Sequence, residues 1–229
     1  MASIKFGNIV VDMRGKISGN VYSKNKGGAY SRVRVIPTNP KSAAQLLVRG
    51  FLTILSQAWR GLTAEQINGW NMAVGNFQKK NRLADMHVIN GNALYVSLNK
   101  NLLDVGLPAV DDAPSVVDVA PQTIASAVAD NSANTLVITL GEAVVTGQSV
   151  KVFASPALSA GVNSVGSKLR QIGYFNSAHA ATLTLTTMYN AKFGAIGAVG
   201  SKIFYSIIPM SETNGQAGGA ITGQIVIGA

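Results

Sequence analysis

The sequence predicts an α+β protein of two domains: an N-terminal β-hairpin with a three-helix segment, then a C-terminal β-sandwich. Three observations carry this. Between residues 41 and 103 apolar side chains recur at spacings of three and four, the period of an amphipathic helix. Beyond residue 122, short runs of Val, Ile, Leu and Thr are separated by Gly, Asn and Ser, as strands are by turns. The charge changes in the same place. Residues 1–107 hold 14 Lys and Arg against 4 Asp and Glu, a net of +10, and residues 108–229 hold 5 against 6, a net of −1. We therefore assign a basic hairpin and helical docking domain to 1–107, a linker to 108–122 and the β-sandwich domain to 123–229.

Residues 16–36 alternate around the break Lys24-Asn25-Lys26-Gly27-Gly28, which reads as a β-hairpin whose Gly-Gly supplies positive φ. On its second strand Arg32 and Arg34 alternate with Val33 and Val35, giving one basic and one apolar face. Asn39 before Pro40 predicts a helix cap and first helical residue. The helix of about 41–60 then carries Ala44, Leu47, Val48, Phe51, Leu55, Ala58 and Trp59 as its apolar stripe. Thr63 and Gln66 form a capping box that starts a second helix, with Ile67, Trp70, Val74 and Phe77 as its stripe. A third helix, about 91–103, presents Leu94, Tyr95, Leu98 and Leu102.

Pro108, Asp111, Asp112, Pro114 and Pro121 mark the linker, since prolines and acids suit an irregular connection. Seven strands follow, at about 123–128, 135–140, 149–154, 168–174, 182–187, 202–208 and 221–227. Seven short strands with such turns indicate a β-sandwich of immunoglobulin-like, fibronectin-type architecture. The Cys–Trp–Cys pin of antibody domains is absent, because the chain has no cysteine.

Chemistry is sparse. The two histidines, His87 and His179, fall one in each half and sit in no nucleophile–base or metal-ligand spacing. The acids Asp104, Asp111, Asp112 and Asp118 lack the alternation and fixed Gly of a calcium loop. Gly194 to Gly200 lacks the spacing and the following helix of a phosphate-binding loop and reads as a flexible inter-strand loop. We expect no enzyme activity, no metal and no cofactor. Residues 1–14 lack a secretory signal pattern, and the apolar runs are too short to span a bilayer, so no membrane partner is expected.

One feature stands above this background: Arg14, Lys16, Lys24, Lys26, Arg32, Arg34, Lys41, Arg49 and Arg60, with Asp12 the sole acid before Glu65. Such a segment meets either acidic protein surfaces or nucleic-acid backbone, the latter without sequence preference and with strong salt dependence. The protein partner is the favoured expectation.

The stretches Gly15-Lys16-Ile17-Ser18-Gly19-Asn20-Val21, Lys26-Gly27-Gly28-Ala29-Tyr30, 32–45 (RVRVIPTNPKSAAQ) and 55–71 (LSQAWRGLTAEQINGWN) carry a resemblance. They are similar to an uncharacterised family of structural proteins in Bacteroidota and tailed phages, the crAss-like phages among them, over about the first third of the chain. The resemblance implies a virion component assembled in the host cytoplasm: a head decoration, fibre-attachment or neck-ring protein. Its partners would be capsid, portal or neck subunits, with a packaging or neck protein contacting phage DNA as the alternative. It would be a homo-oligomer or present in many copies.

Overall fold

A computed structural model describes residues 2–3, 7–25, 28–77, 79–80, 86–87 and 89–229, without the side chains of 2, 3, 25, 28, 79, 80, 86 and 87. The chain divides into two compact units, residues 1–46 and 47–229.

The smaller unit is a four-stranded antiparallel sheet. Its strands are β1 (Ala2–Ser3), β2 (Gly15–Ile17), β3 (Asn20–Asn25) and β4 (Gly28–Val33), in the order β1-β4-β3-β2. The expected hairpin is β3 and β4, paired from Asn20↔Val33 to Asn25↔Gly28; its turn at Lys26-Gly27 lies outside the described residues. Its expected first arm is in fact two strands. Ser18 takes φ 50°, and the chain reverses there so that Ile17 pairs with Asn20. The basic residue after Pro40 also alters the expected helix start. Lys41 has φ 48°, a left-handed conformation that cannot continue a helix. Helix α1 (Ala43–Gly61) therefore begins three residues after Pro40, with Ser42 Oγ accepting from Gln45 N at 3.4 Å in place of an Asn39 cap.

In the larger unit, α2 (Ala64–Ala73) begins at the expected capping box. Thr63 N donates to Gln66 Oε1 at 3.0 Å and Gln66 N to Thr63 Oγ1 at 3.3 Å. The short strands β5 (Lys79–Lys80) and β6 (Met86–His87) pair with each other. Helix α3 (Gly91–Asp104) is capped by Asn90, whose side chain accepts from Ala93 N at 2.8 Å. Leu55, Trp70, Phe77, Leu94, Tyr95 and Leu98 form one core among the three helices. Tyr95 stands between Trp59 and Trp70, with ring centroids 5.3 and 5.2 Å away.

All seven expected strands are present: β7 (Ile124–Asp130), β8 (Thr135–Leu140), β9 (Gln148–Ala154), β10 (Arg170–Phe175), β11 (Thr182–Thr184), β12 (Lys202–Ser211) and β13 (Ile221–Gly228). They form one mixed sheet in the order β10-β9-β12-β13-β7-β8-β11. The single parallel pairing is between β13 and β7, at Ile227↔Ala129 and Gly228↔Asp130. Leu136, Ile138 and Leu183 near one end of this order share a core with Val150, Val152, Ile203 and Ile207 near the other. The sheet thus curls around its own interior. The expected strand 182–187 stops at Thr184, and its remainder opens α4 (Thr186–Phe193). This helix bridges the curled ends: Thr186 Oγ1 accepts from Leu136 N at 2.9 Å, and Met188 packs over Gly173 of β10. The loop after it is pinned, with Asn131 Nδ2 donating to Gly197 O at 2.9 Å and Ile196 N donating to Asn134 Oδ1 at 2.9 Å.

The outer face of β9 and β12 carries α3. Lys151 Nζ donates to Asp104 Oδ2 at 3.0 Å and Asn101 Oδ1 at 2.9 Å, and Leu102 and Val105 pack on Met210. Residues 108–122 are held along their length between helices and sheet. Trp70 Nε1 donates to Asp111 O at 2.7 Å, Asn99 Nδ2 to Val110 O at 3.0 Å, and Asn214 Nδ2 to Ser115 O at 3.0 Å. Helices, connection and sheet accordingly fall within one unit.

Candidate interaction surface

The basic residues singled out in the sequence lie on the small sheet, on the strand that leaves it and on α1. Cross-strand partners share a face and neighbours along a strand alternate. The register puts Lys16, Val21 and Arg32 in one row, with Ser23 and Tyr30 on the same face. Ile17, Asn20 and Val33 make a row on the other face, together with Tyr22, Lys24 and Ala29. Both faces are therefore mixed, in place of one basic and one apolar face. The register of β3 with β4 is the reason: it sets Arg32 opposite Val21 and puts Val33 on the face of Lys24, while the turn at Ser18-Gly19 assigns Lys16 and Ile17 to their sides. Arg34 lies beyond the end of β4, where its N–H continues the ladder to Gly19 O at 2.7 Å.

Arg14 pairs with Asp12 at 3.1 Å, and both are substantially exposed. An exposed pair of this kind is screened and contributes little. Lys24, Lys41, Arg49 and Arg60 are likewise exposed, while Lys26 lies outside the described residues.

What distinguishes this region is how little of its described part is buried. Among the described residues of 7–46 no side chain is buried, and half-burial is reached at best, around Val21, Tyr22 and Tyr30. Yet the segment is rich in apolar side chains. Val33, Val35 and Ile36 are 71, 76 and 80% exposed. A small sheet in water needs an apolar face packed against something to be stable by itself. Exposed apolar surface continues along α1, through Leu46, Leu47, Val48, Leu52 and Ile54, and ends where Leu55 enters the helical core. The stripe read from sequence is thus real as a helical face, but only Leu55 of it is buried, with Ala58 and Trp59 half-buried beside it.

The larger unit shows other polar features. Lys151 is the one lysine fully enclosed among the described residues, at 5% exposure. Burial, opposed by the hydrogen bond and charge of Asp104, moves its pKa down. Asp104, just past the helix expected at about 91–103, is the last residue of α3 and also pairs with Lys100. Glu212 accepts from Ser149 Oγ and from Ser177 N. Burial pushes its carboxyl up, but these hydrogen bonds outweigh that and hold it below the usual carboxylate range. Sequence reasoning missed both groups, since their partners are separated by 47 and 63 residues.

His179 packs against Phe175, ring centroids 4.6 Å apart; the side chain of His87 lies outside the described residues. Among the described residues no three His, Asp or Glu side chains gather as a metal site, and no helix is long and apolar enough to cross a membrane. A cleft of about 390 Å³ beside β12 and β13 is lined by Asn163, Phe204, Thr222 and Gln224 among others and carries no charged side chain.

These features define an α+β protein whose exposed chemistry is concentrated in its first 60 residues. No protein-family model, no curated protein and no solved structure matches the chain.

Proposed function

We propose that this chain is a structural component of a tailed-phage virion, docking onto neighbouring subunits through its basic N-terminal region. One observation carries the reading. Residues 1–60 hold 10 Lys and Arg against one acid, Asp12, which equals the entire net charge of +9, while the described part of their sheet has no buried side chain. Cations and exposed apolar side chains along the sheet, the strand that leaves it and the start of α1 fit a surface that is completed by a macromolecular neighbour.

The exposed Val33, Val35 and Ile36 favour a protein neighbour over DNA, because phosphate backbone offers no apolar counterpart. The resemblance of residues 15–71 to phage structural proteins supports the same reading. For the C-terminal part we infer an immunoglobulin-like, fibronectin-type sandwich, with β7, β8 and β11 as one sheet and β10, β9, β12 and β13 as the other. The shared core and the brief parallel contact of β13 with β7 support that division.

Limited proteolysis of intact particles, set beside the isolated protein, tests the docking. Residues 14–41 are expected to be cleaved in the free protein and protected in the particle. Equal cleavage in both would remove the proposal. The DNA reading has its own signature, binding to generic duplex that weakens steeply with added salt and flattens on charge reversal at Arg32 and Arg34.

A further inference from the structure

Lys151 Nζ reaches two groups of α3, Asn101 Oδ1 at 2.9 Å and Asp104 Oδ2 at 3.0 Å. All three residues belong to the larger unit. Asn101 and Asp104 stand three positions apart on the helix and so share one side of it. The side chains of Lys151 and Asp104 are each 6% exposed, and Tyr174 and Ile208 flank Lys151 from the neighbouring strands. An ion pair by itself is a weak reason to bury a lysine, because an apolar residue of similar volume does as well or better. What Lys151 has besides a counter-ion is an electrophile, the carboxamide carbon of Asn101.

That carboxamide is held with its carbonyl end toward the lysine, since Asn101 Nδ2 donates to Gly215 O at 2.9 Å. With a C=O bond of about 1.2 Å, the contact at Oδ1 leaves Nζ about 3 to 4 Å from Cγ. Attack starts from about 3 to 3.5 Å, which a small torsion of the lysine stem supplies. Burial favours the uncharged amine, as does the charge of Lys100, against the pull of Asp104. The paired carboxylate is in place to take the ammonium proton.

We propose that Lys151 and Asn101 join in an intramolecular isopeptide bond, with Asp104 carrying the proton. Asp104 takes one proton from the Lys151 ammonium, and the freed lone pair of Nζ forms a bond to Asn101 Cγ. The Cγ–Nδ2 bond then breaks as Asp104 gives its proton to Nδ2 and receives another from Nζ. Ammonia leaves and picks up that last proton, so Asp104 returns to carboxylate, one ammonium ion is released, and nothing is oxidised or reduced. The bond ties α3 to β9 across 50 positions of a chain that has no cysteine, closing a loop as a disulfide would. It forms once per molecule and is independent of what the basic sheet grips. The ion pair is the state before the bond forms, so its contribution to stability is measured on chains of full mass.

The test is the intact mass of the purified full-length protein under denaturing conditions, together with a proteolytic digest. The unaltered chain is expected to be lighter than its sequence by one ammonia. Its digest is expected to hold one branched peptide joining the segments of Asn101 and Lys151. Lys151→Arg and Asn101→Ala are each expected to restore the full mass. Asp104→Asn keeps both reacting side chains and is expected to stay unlinked. Circular dichroism checks that the variants fold, and the result on the unaltered chain stands without them. An unaltered chain still of full mass after days at neutral pH would overturn the proposal. Loss of ammonia without the branched peptide, as from cyclisation of an asparagine onto its own backbone, would defeat it equally. Linkage that persists in Asp104→Asn would remove the proton step from Asp104.

Discussion

Lys151 Nζ, on the outer face of β9, lies 3.0 Å from Asp104 Oδ2 in the last turn of α3, and both side chains are 6% exposed. This pair joins the helices to the sheet. Removing one partner of a buried pair strands the other, which costs more than the pair contributes. Asp104→Ala is expected to lower stability by about 3 kcal/mol in urea unfolding. Lys151→Met is expected to cost less, because Asp104 keeps Lys100. The sign with pH follows from the lowered pKa of Lys151. A base whose folded pKa lies below its unfolded value is more protonated unfolded, so stability rises with pH. The deficit of Asp104→Ala should shrink between pH 7 and pH 10; a constant deficit would show that Lys151 is not stranded.

Glu212 gives the opposite test. Its folded pKa is depressed by hydrogen bonds from Ser149 and Ser177 that outweigh burial. Its contribution is therefore fully present above the unfolded value of about 4.3 and lost as pH falls through the lower folded value. Thermal melts from pH 7 down to pH 3 should show a smaller acid-induced drop in Glu212→Gln than in the unaltered chain.

Gly215 sits against the backbone of α3. It has φ 71°, and a Cβ there would lie 2.1 Å from Leu98 O. Asn101 Nδ2 donates to its carbonyl at 2.9 Å. Gly215→Ala meets both a strained φ and a backbone clash, and a loss of about 3 kcal/mol is expected. A denaturation midpoint unchanged by this substitution would place the loop away from α3.

At the start of α2, Thr63→Ala removes the acceptor for Gln66 N. A loss of about 1 kcal/mol is expected, read as a shifted urea midpoint at unchanged slope. Gln66→Ala should cost more than the cap by itself, since Gln66 Nε2 also donates to Asp112 Oδ1 at 2.9 Å.

Local patterns decided much of this architecture. The capping box at Thr63, the stripes of α2 and α3, and the existence of seven C-terminal strands all follow from periods and turn residues within a few positions of one another. So does the concentration of positive charge before Glu65. Each is legible because its physics acts between near neighbours in the chain.

Tertiary structure decided the rest. Whether the stripe of α1 is core or surface depends on which helices reach it, and only Leu55 is met fully. The faces to which Lys24 and Arg32 belong depend on the register of β3 with β4, and that of Lys16 on a reversal at Ser18, which swaps the two sides of a strand without changing its composition. Asp104 reads in the sequence as one of several acids without a pattern and becomes a buried ion-pair partner because β9 brings Lys151 to it from 47 residues away. Periodicity assigns a residue to a side of its own element; only the packing of distant elements says whether that side is covered.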